Sequence, residues 1–313
     1  PVSRISKPEF VGGIYRIRKA DTPAVADPWG KEIKFAEAPA ADLVALLGDE
    51  RPQVRRQAFN ALRMGGEEAV EALLAFDGNS LAGEAQIRLQ SVWLLGQLGG
   101  ALNDSPAKMS AQKAVRDALT DKDFRVRIAA ARMCGMEEDR MAIPGLSALL
   151  FDPEAPVRRQ AATSIGRMKG VEAAYLLYMA SAYAVDPHEA HAIIYATIQL
   201  GVDKVGRLAL NHTNPTVQRA AAISLDQMAG DEDYLKVDDV LPLLAASDDD
   251  LRETALWIAS RHADWSEVLL AEMLGQFQRT AFDAEKSDGL REILLAYAGS
   301  EEAQTEIAAL LQG

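Results

Sequence analysis

One cysteine in 313 residues closes several routes at once. Cys134, inside the apolar run RIAAARMCG, has no partner for an intrachain disulfide. With neither CxxC nor CxxCH present, a zinc ribbon and covalent haem attachment do not fit. A buried small hydrophobe is the expected state of such a residue. Long apolar runs are missing as well: none approaches the roughly 18 uninterrupted residues that signal a membrane helix, so no direct membrane insertion is expected. Basic runs are also absent, and 46 acidic against 33 basic side chains leave a formal charge of −13. Nucleic acid, which needs a positive stripe to displace counterions, is therefore not an expected partner. A basic protein is electrostatically suited. The pairs Gly65-Gly66 and Gly99-Gly100 lack the lysine and serine of a phosphate loop. No serine nucleophile motif lies near Asn211-His212 or Arg261-His262, and Cys134 has no neighbouring histidine to activate it. No catalytic residue, metal or cofactor is expected in this segment. Aromatics are scarce too, at 6% against 49% apolar residues. Alanine and leucine must build the core, as suits thin, closely packed helices, and alanine is the best helix former.

What is abundant is repetition. A small acidic or proline-containing turn leads into Val-Arg or a near copy, and then into an alanine-rich apolar helix. The clearest copies are DERPQVRRQAFNALRMG (Asp49 to Gly65), DKDFRVRIAAARMCG (Asp121 to Gly135) and DPEAPVRRQAATSIGRMKG (Asp152 to Gly170). The key positions Val54, Ile87, Val126, Val157, His188, Val217, Leu251 and Leu290 recur at about 30 to 40 residues, the range of a two-helix solenoid unit. Helix pairs are expected over 39–48 and 52–65, 67–76 and 83–98, 107–119 and 124–135, 141–150 and 155–168. They continue over 171–184 and 187–200, 202–210 and 215–228, 237–246 and 249–262, 266–280 and 287–298, with 301–312 as a cap. Pro52, Pro144, Pro156, Pro187, Pro215 and Pro242 fall near helix starts, where a missing amide costs nothing. Gly48, Gly65, Gly135, Gly170 and Gly201 fall near ends, where a left-handed cap is expected.

Residues 1–38 stand outside the repeat. The alternation in EFVGGIYRIR reads as a strand, and Pro23, Pro28 and Gly30 read as linker. Trp29 is expected to pin that linker down. A chain opening on Pro1-Val2-Ser3 with an isolated strand predicts a piece of a longer protein, with 1–38 as the remnant of an upstream domain and 39–313 as the solenoid.

The turn Asp followed six residues later by Arg, in Asp49/Arg55, Asp121/Arg127 and Asp152/Arg158, resembles the HEAT and PBS-lyase HEAT-like repeat. That resemblance covers residues 39 to 313. It implies an all-α, right-handed solenoid of about eight helix pairs, in which these Asp and Arg side chains form a ladder between repeats. It leaves function open, since the fold hosts scaffolds, adaptors and lyases. A narrower resemblance rests on GGIYRIRK with VADPWGKEI, and on HEAHAIIYATIQLG, AAAISLDQMAG and ETALWIASRHADW. These stretches resemble large bacterial proteins of the Planctomycetes and Verrucomicrobia group. Those proteins join a sorbosone-dehydrogenase-like β-propeller, a HEAT-like array and a c-type cytochrome domain. The resemblance implies a non-catalytic, periplasmic or cell-surface scaffold between propeller and cytochrome. A free-standing acidic adaptor for a basic partner, or a chromophore-lyase-like enzyme, are the alternatives.

On this reading the second-helix face meets the partner, through Arg56, Arg88, Arg132, Arg159, His188, His191, Tyr195, Arg219 and Arg252. His188-Glu189-Ala190-His191 misses the zincin HExxH by one residue, so it reads as a surface or partner-facing pair. His191 and Tyr195 are i and i+4, neighbours on a helix; packing between repeats with a hydrogen bond is one reading and a partner contact is the other. Trp93 and Trp257 sit in apolar runs and are expected in the core, whereas Trp265 is the expected exposed contact. The run Ser247-Asp248-Asp249-Asp250 is explained by helix capping.

Overall fold

The computed structural model describes residues 25–76, 85–228 and 234–271, together with Leu295, Tyr297, Gln304, Thr305 and Ala308. The described residues form an all-α solenoid. First helices α1 (Ala40–Ala45), α3 (Gly66–Ala75), α5 (Pro106–Asp117), α7 (Ile143–Leu149), α9 (Ala174–Ser181), α11 (Asp203–Leu210) and α13 (Val237–Leu244) alternate with second helices. The second helices are α2 (Pro52–Arg63), α4 (Ala85–Ala101), α6 (Phe124–Met136), α8 (Ala155–Arg167), α10 (Pro187–Leu200), α12 (Pro215–Gln227) and α14 (Asp249–Ala259). Each pair packs internally, and α4, α6, α8, α10, α12 and α14 stack side by side in that order. The expected strand at 9–18 lies outside the described residues, as do most positions of the expected helices beyond 271, Leu290 included.

The boundaries follow local chemistry. Ser105, Asp123, Asp186, Asn214 and Asp248 each cap a helix by accepting a backbone N–H from its first turn, meeting donors that have no partner inside the helix. Asp248 in the acidic run is such a cap, bonded to the Leu251 amide at 2.9 Å. Pro52, Pro144, Pro156, Pro187 and Pro215 occupy the first helical positions. Pro242 departs from expectation and lies inside α13, on its exposed side.

The glycines depart further. Only Gly201, at φ 62°, is a left-handed helix end among the five. After α6 and α8 the left-handed position falls to Glu138 (φ 51°) and Lys169 (φ 50°), and the next amides, Asp139 and Gly170, bond back to the Cys134 and Ile165 carbonyls at 3.0 Å. Gly135 is instead buried within α6, where a Cβ would lie 2.6 Å from the Ser164 Oγ of α8. Gly96 meets Met133 and Gly166 meets Ala196 in the same way. These residues let neighbouring second helices approach closely.

Residues 25–38 lie over the first repeat, with Phe35 and Ala38 packed on its core. The Trp29 side chain is exposed, and the segment is held through its backbone: the Trp29 carbonyl accepts from Gln57 Nε2 at 2.7 Å, and Arg51 donates to the Asp27 carbonyl. Gly30, at φ 64°, is buried against Val54 and Phe35. The core divides into two clusters, one running from α1 to α10 and one from Tyr178 through α14 to Tyr297. Where they meet, the Thr197 and Ser224 hydroxyls bond at 2.6 Å, fully buried.

Candidate functional site

The fourth residue of a second helix follows the buried key position and builds an ion-pair ladder. Arg127 donates from Nε and Nη2 to Asp152 of the next repeat at 2.7 and 2.8 Å, while its Nη1 donates to the Asp121 carbonyl of its own turn at 2.8 Å. Arg88 pairs with Asp121 at 2.7 and 3.0 Å. Arg158 bonds the Asp152 carbonyl, and Arg55 bonds the Asp49 carbonyl. The six-residue spacing thus joins each arginine to the backbone of its turn Asp, and the side-chain pair spans repeats. Asp49, Asp121 and Asp152 also accept the amide two residues on. One carboxylate shapes the turn and, for Asp121 and Asp152, closes the ladder.

The next rung changes chemistry. Arg158 pairs with Glu189 at 2.5 and 2.9 Å, and Glu189 is only 1% exposed. His188, a key position of the repeat by spacing but read as a surface or partner-facing residue, is exposed. Counted from its cap Asp186, Glu189 is the residue equivalent to Val157, so the helix turns Glu189 inward and both histidines outward. The Glu189 carboxylate is therefore occupied by Arg158 and the Val185 amide. Sequence reasoning missed Glu189 as a ladder residue; the signal was a carboxylate within a repeat whose turn lacks the usual Asp. A second set of cross-repeat pairs, also missed, links first helices and the short turns before them to the same region of the next repeat: Arg116 to Asp139, Arg140 to Glu172 and Arg207 to Asp239.

The outward positions of the second helices, two, five and nine residues past each cap, form one face. Arg56, Arg132, Arg159, His188, His191 and Tyr195 are all exposed on it. The Arg132 guanidinium lies 5.8 Å from the Trp93 ring centroid of the neighbouring helix, a cation–π distance. His191 and Tyr195 stack at 6.0 Å, interplanar 11°, so these two side chains present a flat surface to solvent rather than packing between repeats. Between α2 and α4 a groove of about 350 Å³ is lined by Pro52, Arg55, Arg56, Phe59, Gln86 and Gln90.

Four expected contact residues are placed otherwise. Arg88, 3% exposed, is a buried ladder residue. Arg252 holds the ladder position of α14, donating to the Ala246 carbonyl at 3.0 Å. Arg219 is half-buried and donates to Thr254 Oγ1 at 2.8 Å. Trp265 is 7% exposed because its short 3-10 turn, Ala263–Trp265, tucks it into the second core cluster under the stacked His262 ring, 3.8 Å away. That ring in turn meets the buried Asp226 at 2.7 Å. Trp257, expected in the core, is 41% exposed with Arg261 over its ring at 4.8 Å, and Trp93 is only half-buried. A single apolar run cannot tell the outward position of a helix from the inward one a turn away.

Cys134 is buried in α6 and desolvation pushes its thiol up to about 12. Among the described residues no helix is long and apolar enough to cross a membrane.

A family profile described as HEAT repeats matches residues 79–164 and 113–197. Together the two matches span residues 79–197 of this chain. The chain is 28% identical over 189 residues to phycocyanobilin lyase subunit alpha of Synechocystis, covering 55% of this chain and 68% of that protein. Among solved structures it is similar to the CpcE–CpcF complex of phycocyanin lyase from Nostoc, with TM-score 0.38, 23% identity, and 72% of this chain and 93% of that chain covered. It is also similar to YibA of Escherichia coli, with TM-score 0.45, 18% identity, and 89% and 99% covered.

Proposed function

We propose that this chain is a non-catalytic HEAT-repeat scaffold that holds another protein or domain against its second-helix face. The observation that carries this reading is the row of solvent-facing Arg56, Arg132, Arg159, His191, Tyr195 and Trp257 along stacked helices, with the half-buried Trp93 among them. Tryptophan, tyrosine and arginine dominate binding hot spots, and here the ladder beneath holds the helices that carry them. Crosslinking mass spectrometry on the intact protein from its native host is the test. Crosslinks should concentrate on this face and disappear in a Tyr195→Ala/Trp257→Ala variant. Crosslinks that avoid the face would sink the reading.

The finer form of the proposal places the scaffold in a periplasmic redox protein, between a β-propeller and a c-type cytochrome domain, with 1–38 belonging to the upstream side. It is supported by the resemblance of GGIYRIRK and HEAHAIIYATIQLG to such proteins. The gene tests it: a coding sequence without a propeller before Pro1 and without CxxCH after Gly313 removes it. A second reading, chromophore-lyase-like activity, is favoured by the similarity to phycocyanobilin lyase subunit alpha. Titrating phycocyanobilin into the protein should then shift its absorbance; an unchanged spectrum dismisses this reading.

A further inference from the structure

The net charge points to a basic partner, but the charges are not evenly placed. Helices α2, α4, α6 and α8 contain no Asp or Glu at all. In α10 and α12 the only carboxylates are Glu189 and Asp226, both turned inward onto Arg158 and His262. Every basic residue in these six helices, apart from the histidines, is arginine; none is lysine. The ladder uses Arg55, Arg88, Arg127 and Arg158. Arg56, Arg132, Arg159 and Arg167 point outward and make no ion pair among the described residues. Carboxylates cluster instead on first helices and turns, as at Glu67, Glu68, Glu71, Asp104, Asp117 and Glu172. A chain of charge −13 therefore presents a cationic, aromatic second-helix face from α2 to α10.

We infer that this face binds an extended acidic segment of a partner protein, its carboxylates seated on Arg56, Arg132 and Arg159 and its apolar side chains on Trp93 and Tyr195. The inference rests on the scaffold reading and names the partner's chemistry. Guanidinium groups suit carboxylates because their planar fork bonds both oxygens. Four interhelix steps of about 9 Å separate α2 from α10, a span that about eleven extended residues cover. A nucleic-acid strand is the poorer occupant. Its charge continues past the face into the field of the acidic body, whereas a short segment lies within about 8 Å, one screening length, of the arginines.

The test is fluorescence anisotropy with a labelled peptide of about eleven residues that alternates Glu with Leu and Phe. A Lys-for-Glu version and a single-stranded DNA of equal charge serve as comparisons. The Glu peptide should bind, more weakly as salt rises from about 50 to about 300 mM. An Arg132→Glu/Arg159→Glu variant, on exposed positions and checked for retained helicity, should bind at least about tenfold more weakly. Lys113→Glu, on the outer helix α5, should leave binding unchanged. Tighter binding of the Lys peptide or the DNA, or indifference to the arginine reversals, overturns the inference. If the Glu peptide fails to bind while the crosslinks still depend on Tyr195 and Trp257, the acidic-segment inference falls and the scaffold reading stands.

Discussion

Arg158 and Glu189 form a buried ion pair whose value lies in its completeness. Arg158 has donors to the Asp152 and Pro153 carbonyls as well as to Glu189, so its desolvation is offset by bonds on every side. Removing one partner leaves a buried charge, a change that costs about 3 to 5 kcal/mol. Glu189→Leu alone should therefore lower unfolding stability by that amount in urea, while Arg158→Met/Glu189→Leu should recover most of it. If both variants were equally destabilised, pairing would not be the cause. Cys134 makes a second prediction at this scale. With its thiol raised to about 12 by burial, it should resist alkylation at pH 8 in the native protein and react only after denaturation. Rapid native labelling would contradict the burial. That Cys134 is buried could be read from its apolar run, whereas Glu189 could not be read as a ladder residue. Its role depends on where the Arg158 guanidinium of the previous repeat lies.

At the scale of the element, α6 and α8 show how glycine and left-handed residues have changed places. In Gly135→Ala the gain in helix propensity is about 1 kcal/mol. Against it stands a Cβ at 2.6 and 2.7 Å from the Ser164 Oγ and Cβ and 3.0 Å from its backbone Cα, which cannot move without shifting α8. Overpacking of this kind costs about 1 to 3 kcal/mol, so the variant should be less stable in chemical denaturation, and Ser164→Gly should restore part of the loss. A more stable Gly135→Ala would show that the helices can part freely. The reverse substitution belongs just past the end of α8. Lys169 is exposed and left-handed, and Lys169→Gly should stabilise the chain by up to about 1 kcal/mol by removing the Cβ conflict. A calorimetric melting temperature that stays level or falls would refute this. Helix positions were legible from punctuation: α10 spans 187–200 as the pattern predicts. The residue that takes the left-handed turn was not, because it is set by which residue the first turn of the next repeat leaves free of packing.

For the whole molecule, the linked turns make stability depend on acid. The side-chain bond from Arg125 holds Asp123 down at about 2. Arg51 lowers Asp49, and the Glu189 amide lowers Asp186. A carboxyl group with a depressed folded value contributes stability above its ordinary range, and that contribution fades as pH falls through the folded value. The melting temperature should therefore be level from about pH 7 to pH 5 and decline steadily between about pH 4 and pH 2. Arg125→Gln should flatten the lower part of that decline, since Asp123 would return toward its ordinary value. An unchanged acid profile in that variant would remove Asp123 from the cause. Tyr297 and Cys134, both raised to about 12 by burial, act at the other end: they favour the folded state until pH rises through their folded values.

The Asp-to-Arg spacing, the proline and cap placement and the alanine-rich apolar runs were enough to determine an all-α repeat and nearly every helix among the described residues. Those features are local, decided by backbone bonding and burial within about one turn. Which arginines are spent in the ladder and which face out, that Glu189 turns inward, that Trp265 is covered and Trp257 is not, were decided only by the stacking of repeats. So was the cationic face on an acidic chain. Stacking places a side chain against residues about 30 positions away, and it sorts neighbours in sequence, such as Arg158 and Arg159, onto opposite fates.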